Sequence, residues 1–400
     1  MKVFFRSIHL YLSLAAGLVI GLVCLTGAAL VFEKEFQAAL YPERYEVEAG
    51  ATRVPLEQLV AEVQQQIPGA QVTSMKVYDD PTRTVELNYA KEEAKQKADA
   101  NAGAPGKEKG KGGHGKKGGK GGGSQAFLNP YTGQIVGMSE GRMPFFSTMF
   151  SLHRWLLLDD LGKMIVGVST VLFLFIILTG LILWWPKKMK ILKQRLKLKW
   201  NAGWKRINHD LHLVVGFYTA VFLFIFAFTG LAWSFEWFNN GIYTLTGTEN
   251  IRPEPPKSKE QEAGRTISFD KALAVAKAQL PGGEYYTLNK PEDAEAAFSV
   301  TTMPKNAVHE RASDQLFLDQ YTGRKIGQNL YNERNLGQRV RATFYPVHVG
   351  SIAGMPGRII AFLSCIAGFT FPITGFILWL NRLKKNRKKV RKKVYLKETI

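Results

Sequence analysis

Carboxylates are missing from long stretches of this chain. Outside the segments 33–160 and 236–333 the only acidic residues are Asp210 and Glu398, and the apolar runs Leu10–Phe32, Met164–Trp185, Leu213–Phe235 and Ile359–Leu380 contain none. A transporter that relays metal ions on intramembrane carboxylates is therefore disfavoured. Cysteine is scarce as well. Cys24 and Cys365 are the only two, both inside apolar runs, so no disulfide staples the intervening segments, and the pair reads as small apolar packing residues. A dinucleotide fingerprint is also lacking, because the glycines between Gly110 and Gly123 form a low-complexity tract with lysine and do not follow a strand.

What the chain has in excess is positive charge, a net +20. The surplus sits in Met1–Arg6, in Lys187–Arg206 and from Arg382 to Lys397, each abutting an apolar run. By the positive-inside rule all three are cytoplasmic and touch anionic lipid, which makes nucleic acid an unneeded partner. Each apolar run reaches the ~20 residues that cross the hydrocarbon of a bilayer. The first resembles a signal peptide, with Lys2 and Arg6 ahead of it, but it is longer than an h-region and is read as a retained anchor. Trp184, Trp185, Trp233, Trp237 and Trp379 fall at run ends, where aromatic belts form.

The expected fold class is an α-helical integral membrane protein. It has four transmembrane helices, built as a duplicated two-helix module, with two small α+β extracytoplasmic domains. The boundaries read 1–33 for the first span and 34–150 for the first domain, interrupted by a Gly/Lys insert at 101–124. A histidine segment and second span follow at 151–186, then a basic cytoplasmic loop at 187–206 and a third span at 207–237. The second domain takes 238–345, the fourth span with its histidine segment 346–381, and a basic tail 382–400. Duplication shows in the domains too: FLNPYTGQIVG from Phe127 matches FLDQYTGRKIG from Phe317. In each domain a helix-like stretch, Val54–Ile67 or Ser268–Leu280, ends in Pro-Gly. Alternating runs such as Val72–Val77 and Thr84–Tyr89 read as strands, and Tyr-Thr-Gly as a hairpin turn. The insert cannot bury a core and is expected to be disordered; His114 within it has no second ligand.

The histidines keep register with Thr-Gly pairs. His9 and His212 each lie eighteen residues before Gly27 and Gly230, and His153 and His348 each lie twenty-seven before Gly180 and Gly375. Histidine beside hydrocarbon is by default functional, and neutral imidazole is a common ligand of metals and haem iron. Topology puts His9 and His212 at the cytoplasmic edge and His153 and His348 at the outer edge, the latter two followed by bends expected at Asp159-Asp160 and at Met355-Pro356-Gly357. Two pairs follow, suited to bis-histidine ligation of two haems b, non-covalent because no Cys-x-x-Cys-His occurs. Four interfacial histidines bonded to helix ends would be the purely structural alternative. His209, three residues before His212, is an alternative inner ligand. Arg6 and Arg206 on the inner side, and Arg154 and Arg358 on the outer, are candidates for propionate contacts as well as ordinary anchors.

The histidine-to-glycine spacings, the run HVGSIAGMPGR from His348, Thr-Gly followed by Leu-Trp and basic residues, and the paired loop domains resemble the PepSY-associated transmembrane family of bacterial inner membranes. That resemblance covers nearly the whole chain, although the Gly/Lys insert departs from it. It implies PepSY folds in both loops, haem b in the bundle with His9, His153, His212 and His348 as ligands, and kinship with iron-regulated proteins that reduce ferric siderophores in the periplasm. Some relatives continue into a fused flavin reductase. Here none is seen before Ile400, so a quinol or a cytoplasmic reductase is the expected electron donor. The expectation is thus a membrane oxidoreductase, with both termini cytoplasmic, that passes electrons to a periplasmic ferric chelate; no residue need act as acid or base. The rival is a non-redox envelope module in which the PepSY domains bind or restrain a protease or another protein.

Overall fold

The computed structural model describes residues 2–91, 123–251, 253–259 and 264–398. His114 and all but the end of the Gly/Lys insert lie outside them. In chain order the elements used below are α1 (Lys2–Val31), α2 (Glu33–Leu40), α3 (Leu56–Gln66), β1 (Ala70–Tyr78), β2 (Val85–Lys91), β3 (Ser124–Leu128), β4 (Ile135–Glu140), α4 (Pro144–Trp155), α5 (Asp159–Trp184), α6 (Trp204–Ser234), α7 (Glu236–Leu245), α8 (Phe269–Gln279), β5 (Gly283–Asn289), β6 (Phe298–Pro304), β7 (Asp314–Leu318), β8 (Lys325–Asn329), α9 (Leu336–His348) and α10 (Gly354–Glu398). They form two compact units. A helical unit comprises Met1–Phe32, Thr148–Ile242 and Thr343–Ile400, and a sheet unit Glu33–Ser147 and Tyr243–Ala342.

In the helical unit α1, α5, α6 and α10 are each long and apolar enough to cross a bilayer. They close a ring in which α1 packs on α5 and α10, and α6 on the same two helices. Without a hydrophobic drive between helices in lipid, such contacts depend on small residues that let backbones approach. Ala16, Ile20 and Cys24 of α1 meet Phe173, Ile177, Ala220 and Leu223 in the centre. Gly17 and Gly21 lie against Pro372 of α10, and a Cβ on Gly368 would come within 2.6 Å of the Cys24 sulfur. Cys24 therefore packs, as its surroundings in the sequence suggest.

The chain breaks before α5, over a stretch that reaches the expected bend at Asp159, and before α10, slightly upstream of the expected one. Leu156 and Leu157 take φ of 52° and 60°, and a Cβ on Gly162 would sit 1.6 Å from the Trp155 carbonyl oxygen, so this return is closed by a glycine contact. The second break uses Gly350 and Gly354, at φ 78° and 62°. Asp159 takes φ of 47° at the head of α5, within the expected bend, while Asp160 and Pro356 stand in first helical turns. There a missing N–H costs nothing and carboxylates complement the helix dipole.

The sheet unit corrects the expectation of two separate domains. Its strands form one antiparallel sheet in the order β4-β3-β2-β1-β5-β6-β7-β8. The halves join where β1 pairs with β5, Ser74 opposite Asn289 and Tyr78 opposite Tyr285. The physical reason is that β1 and β5 would otherwise be bare edges with unpaired backbone groups. Each half is the predicted helix on four strands: α3 and α8 lie on one face over a shared core that includes Leu59, Val63, Met75, Leu87, Ala272, Leu288, Phe298 and Leu316. The helices cap one another. Asp270 accepts from the Leu56 and Glu57 amides at 3.0 and 3.4 Å, and Glu57 accepts from the Phe269 amide at 2.5 Å. Both Tyr-Thr-Gly segments are hairpin turns. Asn129 accepts from the amides of Tyr131 and Thr132, Asp319 from those of Tyr321 and Thr322, and Gly133 and Gly323 take φ of 79° and 75°. Because β1 and β5 are the central strands, their amides should be among the slowest to exchange in hydrogen–deuterium exchange of the intact protein. Exchange as fast as at β4 and β8 would mean that the halves do not share a sheet.

Candidate functional site

Each Thr-Gly pair proves to be a socket for a histidine from another helix. His9 of α1 enters Thr179-Gly180 on α5, and His153 at the end of α4 enters Thr26-Gly27 on α1. In the second repeat His212 of α6 enters Thr374-Gly375 on α10, and His348 at the end of α9 enters Thr229-Gly230 on α6. The glycine makes room: a Cβ at Gly27, Gly180, Gly230 or Gly375 would lie 3.1 to 3.2 Å from the Cε1 of its histidine.

The threonine sets the tautomer. Its hydroxyl donates back to a carbonyl one turn earlier, as Thr179 does to Phe175 at 2.8 Å, Thr26 to Leu22 at 2.8 Å, Thr229 to Ile225 at 2.8 Å and Thr374 to Thr370 at 3.0 Å. It can then only accept from the imidazole. The Nδ1 atoms of His9, His153 and His348 also lie 3.0, 2.9 and 2.9 Å from the carbonyl oxygens of Ile176, Val23 and Phe226. A carbonyl has no hydrogen to give, so Nδ1 carries the proton and Nε2 keeps a free lone pair. His212 Nδ1 rests on Thr374 Oγ1 alone among the described residues, at 2.9 Å. Metal-binding histidines are held in this way by a partner on the ring nitrogen that does not ligate.

The four rings meet in two pairs. His9 and His212 have centroids 6.5 Å apart at an interplanar angle of 88°, and His153 and His348 6.1 Å apart at 66°. With about 2 Å for each metal–imidazole bond and roughly 1 Å from each Nε2 to its ring centre, two axial imidazoles would put centroids about 6 Å apart. Both pairs fit that span. Among the described residues no group of three or more His, Cys, Asp or Glu is gathered. Two donors are too few to cage a bare ion, but they suffice for an iron whose other four positions a macrocycle fills. Since seventeen residues of α1 separate His9 from Thr26, the pairs stand at opposite ends of the bundle, about 26 Å apart at 1.5 Å per residue.

His209 does not face His9. The backbone passes through a π-helical turn at Leu211–Val215, a feature common at functional sites. His209 instead lies 3.2 Å from Asp210, whose buried carboxylate also takes Arg206 at 2.9 Å. Arg206 and Arg6 are exposed, and Arg358 is half-buried at the start of α10. Arg154, half-buried, follows His153 directly at the end of α4. Sequence reasoning missed Asn208, which is buried and donates to the Thr374 carbonyl at 3.2 Å, fixing the residue that holds His212. Nothing in composition singles it out. The Thr-Gly pairs stand out by their fixed spacing from a histidine in sequence, but that spacing does not say which histidine each of them receives.

Four apolar helices of membrane-crossing length with paired histidines at both ends define a helical multi-pass membrane protein. The chain belongs to the family described as the PepSY-associated TM region, which matches residues 6–382. No curated protein matches it.

The uneven sockets yield a test. Thr374→Val leaves His212 Nδ1 with no acceptor and should destabilise the purified protein by about 1–3 kcal/mol. Thr26→Val should cost less, because His153 keeps the Val23 carbonyl. Thermal melting of the two variants followed by circular dichroism checks the order, and equal losses would contradict it.

Proposed function

We propose that this protein conducts electrons across the bacterial inner membrane through two haems b, one at each histidine pair, and reduces a ferric chelate, of the siderophore class, on the periplasmic side. The observation that carries the reading is the recurrence, at both ends of one bundle, of two opposed imidazoles whose Nδ1 protons are held by the neighbouring helix and whose Nε2 atoms are left free. The basic segments orient the His9/His212 end, and both termini, toward the cytoplasm, and the sheet unit toward the periplasm. Haem b bound at the pairs would supply reversible one-electron chemistry. The chain's own part is to orient the ligands, with Nδ1 held by the threonine and carbonyl acceptors and Nε2 free, and to exclude water with the apolar centre around Ile20, Phe173 and Leu223. Arg154 would offer a cation to a propionate beside the outer pair. Electrons would enter at the basic face from a quinol or a cytoplasmic reductase, and the ferric acceptor needs only approach to the other end.

Pyridine haemochrome analysis of purified protein should give two haems b per chain. His153→Ala or His348→Ala should remove one and leave the other, because the pairs share no ligand. Absence of haem from folded protein would overturn the reading in favour of a module that restrains an envelope partner, and loss of both haems from either variant would overturn the separate sites. Dithionite-reduced protein should be reoxidised by an added ferric siderophore; haems that stay reduced with every accessible ferric chelate would exclude the reductase role.

A further inference from the structure

We propose that the face of the sheet opposite α3 and α8 binds the electron acceptor, as an anionic iron(III) chelate rich in catecholate rings, through the Lys76 ammonium and the rings of Tyr78 and Tyr285. The proposal rests on the ferric-chelate reading above and names its substrate class. Strand alternation sends Met75 and Val77 of β1 into the core and Lys76 and Tyr78 to the other face. Tyr285 of β5 is paired with Tyr78 in register, with ring centroids 5.8 Å apart. The Lys76 nitrogen lies 4.0 Å from the Tyr285 ring centre and 4.5 Å from that of Tyr78.

This cation is left without a counter-ion. Among the described residues Lys76 makes neither an ion pair nor a hydrogen bond, and Glu86, its cross-strand neighbour, is already engaged. Glu86 accepts from the Tyr78 hydroxyl at 2.6 Å and from Gln125 at 3.1 Å, and pairs with Arg83 at 3.7 Å. Arg83 lies in turn 4.3 Å from the Tyr78 ring centre. Glu86 is thus saturated by its own partners and leaves the Lys76 ammonium without a direct contact to a carboxylate among the described residues. Burial lowers the Lys76 pKa, with Glu86 opposing it only in part, so an incoming anion would stabilise the charged form.

Sheet architecture does not require the charge. Lys76 lies seven residues after Gly69, and the matching position after Gly282 in the second half is the neutral Asn289. A half-buried ammonium flanked by two aromatic faces suits a planar, negatively charged aromatic ring, which can stack on tyrosine while its oxygens meet the nitrogen.

The test uses full-length protein in lipid nanodiscs and a redox-inert probe, the trianionic gallium(III) tris-catecholate. Lys76→Met should weaken its binding about ten-fold or more, and Lys76→Arg should hold it within about three-fold. A neutral gallium(III) trihydroxamate should bind wild type and Lys76→Met alike. An unchanged melting temperature and haem content would show that Lys76→Met is folded. Tris-catecholate binding that is absent in the wild type, or undiminished in Lys76→Met, would overturn the proposal. Gallium is not reduced, so either result is separate from failure of the electron-transfer reading, which haem content decides.

Discussion

The hydrogen bond from each imidazole Nδ1 to the facing helix is the constraint on which the helical unit depends. In a hydrocarbon setting an unpaired polar group costs several kcal/mol, so a histidine at the end of one helix needs an acceptor on the next. Thr-Gly supplies both an acceptor and space. The same bond sets helix order, since α1 must lie beside α5 for His9 to reach Thr179 and for His153 to reach Thr26. It also leaves Nε2 out of the socket bond, and each ring stands against the histidine ring of the other repeat. Within a repeat the bonds tie two helices together; between repeats the ring pairs do so.

Duplication is resolved in the same manner in the sheet unit. One helix on four strands would expose β1 or β5 as an edge, and the two halves remove both edges by pairing them. The reciprocal caps between Asp270 and α3, and between Glu57 and α8, satisfy helix-terminal amides that neither half satisfies by itself. Departures from symmetry then carry information. Asn208 and Asp210 are buried beside His212, whereas Phe5 and Ser7 hold the matching places before His9. Lys76 stands where the other half has Asn289.

Much of this was legible in the sequence, for identifiable reasons. Span length and charge placement mark the four helices because the bilayer imposes both. The helices before Pro-Gly and the Tyr-Thr-Gly turns follow from local chemistry, and each appears within a residue or two of its expected place. The pairing of His9 with His212 and of His153 with His348 could be reached from register and topology alone. What could not be read depends on contacts between distant segments. Intrahelical spacing gives no sign that the Thr-Gly of α5 serves His9, or that the Thr-Gly of α1 serves His153. The joining of β1 to β5 lies in strand edges that hydropathy does not distinguish, and the π-helical turn at Leu211–Val215 has no compositional mark.

The central claim is that two imidazoles meet at one iron at each end of the bundle. Electron paramagnetic resonance of the oxidised, full-length protein addresses it most directly, because the spin state of ferric haem reports its axial ligands. Two low-spin species typical of bis-imidazole coordination are expected, one surviving when the other pair is disrupted. A high-spin spectrum, or a single low-spin species accounting for all the haem, would contradict the account.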